Sequence, residues 1–152
     1  RSIGAARGNP GPGGLGVVLI CSPLRKEISE GYKLTTNNRM ELLAAITGLE
    51  ALKNPGTTVK LHTDSQYLVN AVNKGWLFGW EEKQFAKKKN PDLWIRFLNV
   101  YRRHKVTLIW IKGHNNDPGN ERCDTLAVAA SKNSLLADDT GYRPENDSSS
   151  LL

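Results

Sequence analysis

Thr58-Val59-Lys60-Leu61-His62-Thr63-Asp64-Ser65-Gln66-Tyr67 is the stretch on which the fold turns. Thr58–Thr63 reads as a strand, and Asp64-Ser65 supplies cap oxygens to a short helix carrying Tyr67, Leu68 and Val72. A strand that runs straight into a capped helix is an α/β signature.

The chain on either side keeps the same alternation. Toward the N-terminus, Thr35-Thr36-Asn37-Asn38 is a run of helix N-cap residues, and Leu42, Ile46, Leu49, Leu52 and Lys53 then step by three and four. Pro55-Gly56 stops that helix. Upstream again, Leu15–Cys21 predicts a buried strand, Ser22-Pro23 breaks it, and residues 25–34 alternate in polarity as the second arm of an antiparallel hairpin. Residues 7–14 form a turn-rich block. Toward the C-terminus, residues 74–91 predict a helix and a protruding loop. Pro91-Asp92 opens a helix with Leu93, Trp94, Phe97, Leu98 and Tyr101, and Val106–Ile111 is a strand. A loop, Lys112–Gly119, leads to a last helix from Asn120 to about Ser131. The expectation is a mixed α/β fold with a central sheet flanked by helices, without internal repeats.

Composition narrows the classes. At 152 residues the chain is one domain by size, and 39% hydrophobic with 24% charged residues is a globular balance. No apolar run approaches the roughly 18 residues of a membrane span, and no export signal opens the chain. Cys21 and Cys123 lack CxxC or zinc spacing and read as reduced thiols of a cytoplasmic protein. The net charge of +6 favours a polyanionic partner. Its distribution says more: Lys83, Lys87, Lys88 and Lys89 interleave with Trp76, Phe78, Trp80 and Phe85, a pattern suited to tracking phosphates.

Three acids fall where strands and helices meet: Glu41, expected in the first turn of the long helix; Asp64; and Asp124, in the last helix. Singly, each is explained by the favourable charge of a helix N-terminus. Their contexts add more. Asn37-Asn38-Arg39-Met40-Glu41-Leu42, Thr63-Asp64-Ser65-Gln66-Tyr67, Lys112-Gly113-His114 with Asn120-Glu121-Arg122-Cys123-Asp124, and the glycine-rich Gly4–Gly14 resemble, in order, the motifs of type 1 ribonucleases H of the bacterial kind. Thr140-Gly141-Tyr142 extends the resemblance, so residues 1–142 are expected to form the domain and 143–152 a disordered tail.

The resemblance implies a five-stranded mixed sheet of order 3-2-1-4-5 with helices on both faces. It implies hydrolysis of the RNA strand of RNA–DNA hybrids with two Mg²⁺ ions, Mn²⁺ being a possible substitute, by a cytoplasmic monomer. Glu41, Asp64 and Asp124 fall on the family's metal-binding carboxylates, and His114 on its mobile-loop histidine. Mg²⁺ takes oxygen ligands and keeps waters and substrate oxygens, which is why carboxylates from separate elements are needed. Asn9, Asn38 and Gln66 match positions that read the minor groove and the RNA 2′-OH, and Asn37 is counted among the substrate-binding residues. Thr36 and Asn90 match a pocket for a DNA-strand phosphate, and Trp76, Trp80, Lys87 and Lys88 match a basic protrusion on the DNA strand. His62 and His104 read as structural.

One position departs. Where the family has an aspartate bridging both ions, directly before the first glycine, this chain has Ile3. The first strand is also expected to be incomplete. Losing three inward apolar residues from a central strand costs about 1.5–3 kcal/mol each, against a whole-domain stability of about 5–15 kcal/mol. Two readings of Arg1-Ser2-Ile3 stand side by side: a junction replacing lost native sequence, or a natural variant with a changed site. Three functions follow: a hybrid endonuclease, a hybrid-binding module that cuts little or not at all, and, ranked last, a detached domain of a larger protein such as a reverse transcriptase.

Overall fold

The computed structural model describes residues 2–6, 11–21, 24–112, 118–133 and 136–142. The N-terminal half is a three-stranded antiparallel sheet in the order β1-β2-β3, from β1 (Ser2–Ala6), β2 (Gly11–Cys21) and β3 (Leu24–Thr35). Val17 pairs with Ile28 and Cys21 with Leu24, the expected hairpin. β2 starts inside the block read as turns. Gly14 and Gly16 lie in this strand because the backbone of the last helix, α5 (Pro118–Ser131), rests on them. A Cβ on Gly14 would strike the Ala127 carbonyl, and one on Gly16 the Cys123 carbonyl. Glycine here is a packing requirement that mimics a turn signal.

The apolar run in β2 is buried on both faces. Leu15 and Val17 join the main core, where Val17 touches Gly48 of α1 (Asn37–Glu50); Val18 packs with Cys123 and Ala127 of α5. α1 and α5 therefore cover opposite faces. α1 begins one residue after Thr36, whose side chain accepts from the Arg39 N–H, and it ends at Glu50. Its periodicity was expected to run through Leu52 and Lys53, but the helix closes at an αR cap on Ala51.

The second sheet is a parallel pair, β4 (Thr58–Thr63) and β5 (Lys105–Trp110), with Thr58 opposite Lys105 and Thr63 opposite Trp110. Parallel strands need a crossover. It is made by α2 (Gln66–Asn73), α3 (Trp76–Glu82) and α4 (Pro91–Tyr101). Trp94 of α4 is fully buried, with Tyr67, Trp80 and Phe97 edge-on at 5.3, 5.6 and 6.0 Å between ring centres. Among the described residues five helices flank this mixed α/β arrangement. One continuous five-stranded sheet does not appear among them: β1 packs against β4, but no ladder joins the two sheets. Beyond α5, Ala137 bridges Tyr32 in parallel fashion, its N–H donating to the Gly31 carbonyl at 2.8 Å. No described helix is long and apolar enough to cross a membrane. The expected tail, 143–152, lies outside the described residues.

Candidate functional site

The junction of β4 and α2 carries Asp64. Ser65 is the N-cap of α2; its Oγ accepts from the Leu68 N–H at 3.1 Å, and its own N–H donates to Thr63 Oγ1 at 3.2 Å. The end of β5 and the residue after it hold the same junction from the side, through the Ile111 N–H to the Thr63 carbonyl at 2.8 Å and the Trp110 indole to the Asp64 carbonyl at 3.3 Å.

Glu41 faces this junction from α1. It stands in the second turn, not the first, because the cap is Thr36 and no acid occupies the first turn. The helix-end charge that was the ordinary explanation for Glu41 fades within a turn. Burial, and after it the Asp64 charge, push the Glu41 carboxyl up to about 7, against a hydrogen bond from Ser65 that favours the ionised form. Two like charges this close repel, and a cation between them reverses that cost. Glu41 and Asp64 are thus close enough for the charge of one to act on the other.

Asp124 stands half-buried on α5, next to the buried Cys123 that seats the helix on Gly16. Among the described residues no set of three His, Cys, Asp or Glu side chains closes into a metal cage. The strand carrying position 3 is the element between: β1 packs against α1, β4 and α5. In donor chemistry the Glu41–Asp64 pair fits a hard divalent cation such as Mg²⁺, which commonly takes one or two carboxylates and fills its remaining positions with water and phosphate oxygens.

The other predicted contacts fall into two groups. Asn38 and Gln66 are exposed and Asn37 half-buried at the starts of α1 and α2, near the carboxylate pair in sequence. Trp76 is 48% exposed, with Lys74 Nζ 5.1 Å from its ring centre; Trp80 is half-buried against the core, with Lys88 Nζ 5.0 Å from its ring. Lys87 and Lys88 are exposed in a turn segment where Gln84, Phe85, Lys87 and Asn90 all have positive φ. Buried Phe85 pins that segment by its N–H to the Trp80 carbonyl at 2.8 Å. Lys74, at the C-cap of α2, belongs to this basic group and was not foreseen; its proximity depends on the turn at Gly75. Asn9 and His114 lie outside the described residues. His104 is structural as expected, its Nδ1 accepting from the Thr57 N–H at 3.3 Å.

Thr36 and Asn90 are joined by a residue that sequence reasoning passed over. Arg39 is buried; it donates through Nη1 and Nη2 to Asp92 at 2.9 and 2.8 Å, and through Nε and Nη2 to Asp139 at 2.7 and 2.9 Å. Nη1 also donates to Asn90 Oδ1 at 3.2 Å. Thr35 Oγ1 adds a bond to Asp139 at 2.7 Å.

Comparison with known proteins gives a consistent result. The family model for RNase H matches residues 3–132. The chain is 55% identical over 144 residues to a ribonuclease H of Syntrophus aciditrophicus, covering 91% of this chain and 83% of that protein. It is 49% identical over 145 residues to one of Trichodesmium erythraeum, covering 92% of each. In structure it is similar to a type 1 RNase H with the type 2 active-site motif, with a TM-score of 0.77 and 27% identity over 97% of this chain and 81% of that one. It is also similar to an RNase H1 in complex with an RNA/DNA hybrid, with a TM-score of 0.64 and 27% identity over 85% and 92%.

Proposed function

Because the chain belongs to the ribonuclease H family, we propose that it hydrolyses the RNA strand of RNA–DNA hybrids, with Mg²⁺, or Mn²⁺ in its place, held at Glu41, Asp64 and Asp124. The observation that carries the reading is the Glu41–Asp64 pair: two carboxylates from separate elements, inside the matched family region, with the Glu41 pKa raised by burial and by the Asp64 charge. When bound, the ions supply electrostatic stabilisation of the phosphoryl oxygens and an acidified water. The chain's own residues do the rest. Glu41 and Asp64 hold charge in a half-buried setting, and Ser65 fixes Glu41 by a hydrogen bond. Asn9, Asn38 and Gln66 offer amide groups to the minor groove, with Asn37 beside them in sequence as a further substrate contact. Thr36 and Asn90 take a DNA-strand phosphate. Trp76, Trp80, Lys87 and Lys88 follow the DNA strand. His114 serves proton transfer or product release.

In the same reading the two sheets are halves of one five-stranded sheet of order 3-2-1-4-5, supported by the packing of β1 against β4. The protein works as a monomer in the cytoplasm, in keeping with cysteines too far apart in sequence for a redox motif.

A second reading rests on Ile3: a protein that grips hybrid and cuts it weakly, because the position of the bridging carboxylate is apolar. One experiment separates the two. The chain is titrated against labelled RNA–DNA hybrid for binding and, in parallel, assayed for RNA cleavage with Mg²⁺ and with Mn²⁺. Binding with cleavage supports the endonuclease; binding without it supports the second reading; equal affinity for hybrid and duplex DNA overturns both.

A further inference from the structure

We propose that Arg39 is the positioning residue of the DNA-phosphate pocket: its backbone N–H sets Thr36, its guanidinium sets Asn90, and Asp139 of the C-terminal segment locks it in place. This rests on the assignment of Thr36 and Asn90 to a phosphate in the proposed function.

The hydrogen-bond arithmetic is specific. Thr36 Oγ1 accepts from the Arg39 N–H at 3.3 Å, so its hydroxyl proton points elsewhere and remains a donor. Asn90 Oδ1 accepts from Arg39 Nη1 at 3.2 Å, which fixes which end of the amide is which. The Tyr67 hydroxyl accepts from the Trp94 indole at 3.0 Å, and burial raises the Tyr67 pKa against a lowering effect of Asn90 from its neighbouring position. With Oδ1 taken by Arg39, Nδ2 is the donor end of the amide that a ligand would meet. A phosphate oxygen only accepts, so a pocket that binds it must present protons, and Arg39 turns an acceptor away from it at both residues. Asn90 sits at φ 60 as the N-cap of α4, a backbone conformation costly for a side-chain-bearing residue and held by its surroundings. Its residual exposure is 9%.

Arg39 is itself held. Its side chain is 2% exposed and that of Asp139 5%, and the pair is joined by two bonds. Asp92 takes the other edge of the guanidinium, two residues after Asn90. A Cβ on Gly141 would collide with the Asp92 carboxylate, so the segment around Asp139 lies directly against the network. Docking of residues 136–142 thereby sets the phosphate pocket.

The test is a double-mutant cycle on hybrid affinity without divalent metal, by fluorescence anisotropy, at a temperature where near-ultraviolet circular dichroism shows every variant folded. Asn90→Ala should weaken binding by about tenfold or more, the loss of one bond to a charged group. Arg39→Lys keeps the positive charge but lacks the planar fork that spans Asp92, Asp139 and Asn90. Asp139→Asn is near-isosteric, weakens the lock while leaving Thr35 Oγ1 an oxygen to bond, and serves where Arg39→Lys does not fold. Each should weaken binding severalfold in the Asn90 protein and change it little in the Asn90→Ala background. A merely structural Arg39 gives equal penalties in both backgrounds, which overturns the inference while the pocket stands. If Asn90→Ala leaves affinity unchanged, the pocket assignment itself fails and the inference with it.

Discussion

Ile3 of β1 stands opposite Gly16 of β2 in the antiparallel ladder, and Gly16 is where α5 comes to rest, one residue short of Asp124. Position 3 is therefore one ladder rung from the backbone that seats the third carboxylate. In the proposed reading, position 3 is where the family's bridging aspartate would complete the set of Glu41, Asp64 and Asp124. Ile3→Asp should raise Mg²⁺-dependent cleavage of hybrid by several orders of magnitude, since a metal's stabilisation of the phosphoryl oxygens is worth several kcal/mol and each tenfold in rate is about 1.4 kcal/mol. Single-turnover cleavage by the two proteins decides it; equal rates mean another group does the bridging.

Trp110 clamps the Asp64 junction by one indole N–H while its ring stays 44% exposed. Trp110→Phe keeps an aromatic ring and removes the donor. Stability should fall by about 1 kcal/mol or less, the usual net worth of one hydrogen bond. Measured in the Ile3→Asp protein, cleavage should fall by about tenfold with hybrid affinity unchanged, because a small displacement of a reacting group is costly to rate and not to binding. A change confined to affinity would show that the indole serves the substrate instead.

The raised Glu41 pKa has a definite sign in stability. Between pH 4.5 and about 7 the folded chain holds a proton that the unfolded chain has released, so metal-free stability falls as pH rises through that window. The full loss, at 1.36 kcal/mol per unit, is about 3 kcal/mol. Glu41→Gln should flatten this slope and be the more stable protein at pH 8 in chelator. Mg²⁺ should raise the melting temperature of the parent at pH 8 and not that of Glu41→Gln. Urea titrations across pH, with and without Mg²⁺, read both effects.

Hybrid affinity should fall steeply with salt, through counterion release at the phosphates. Lys87→Ala and Lys88→Ala should each lower the slope of log K against log salt by about 1. Trp80→Ala should weaken binding and also destabilise the fold, since Trp80 packs against Trp94, whereas exposed Trp76→Ala should affect binding alone. A flat salt dependence would remove the phosphate-tracking role from this segment.

Much of the fold could be read because its signals are local. Thr58–Thr63 is a strand over the expected residues, and Ser65 caps α2 as its hydroxyl predicts. Pro91 opens α4, and the β2–β3 hairpin is antiparallel. What escaped depends on contacts distant in sequence. Gly14 reads as a turn until α5 is seen lying on it. Arg39 reads as part of a motif, because its partners Asp92 and Asp139 are 53 and 100 residues away. In the site, Glu41 and Asp64 were legible from their junctions. The turn that Glu41 occupies was not, because four successive residues could each have been the cap and only Thr36 is.

The Ala137 bridge also bears on how the molecule behaves at high concentration. β3 is an outer strand among the described residues, and Ala137 occupies its rim at Gly31 to Lys33. The remainder, Leu24–Glu30, is guarded by charge: Arg25, Lys26, Glu27 and Glu30 crowd the rim, and Glu27 is tied to Arg25 and to Arg122 of α5. A strand arriving from another molecule would have to strip water from four ionised groups and break two ion pairs to add itself. A short run of chain after α5 and a cluster of surface charges thus divide between them the work of keeping copies of this protein from zipping together.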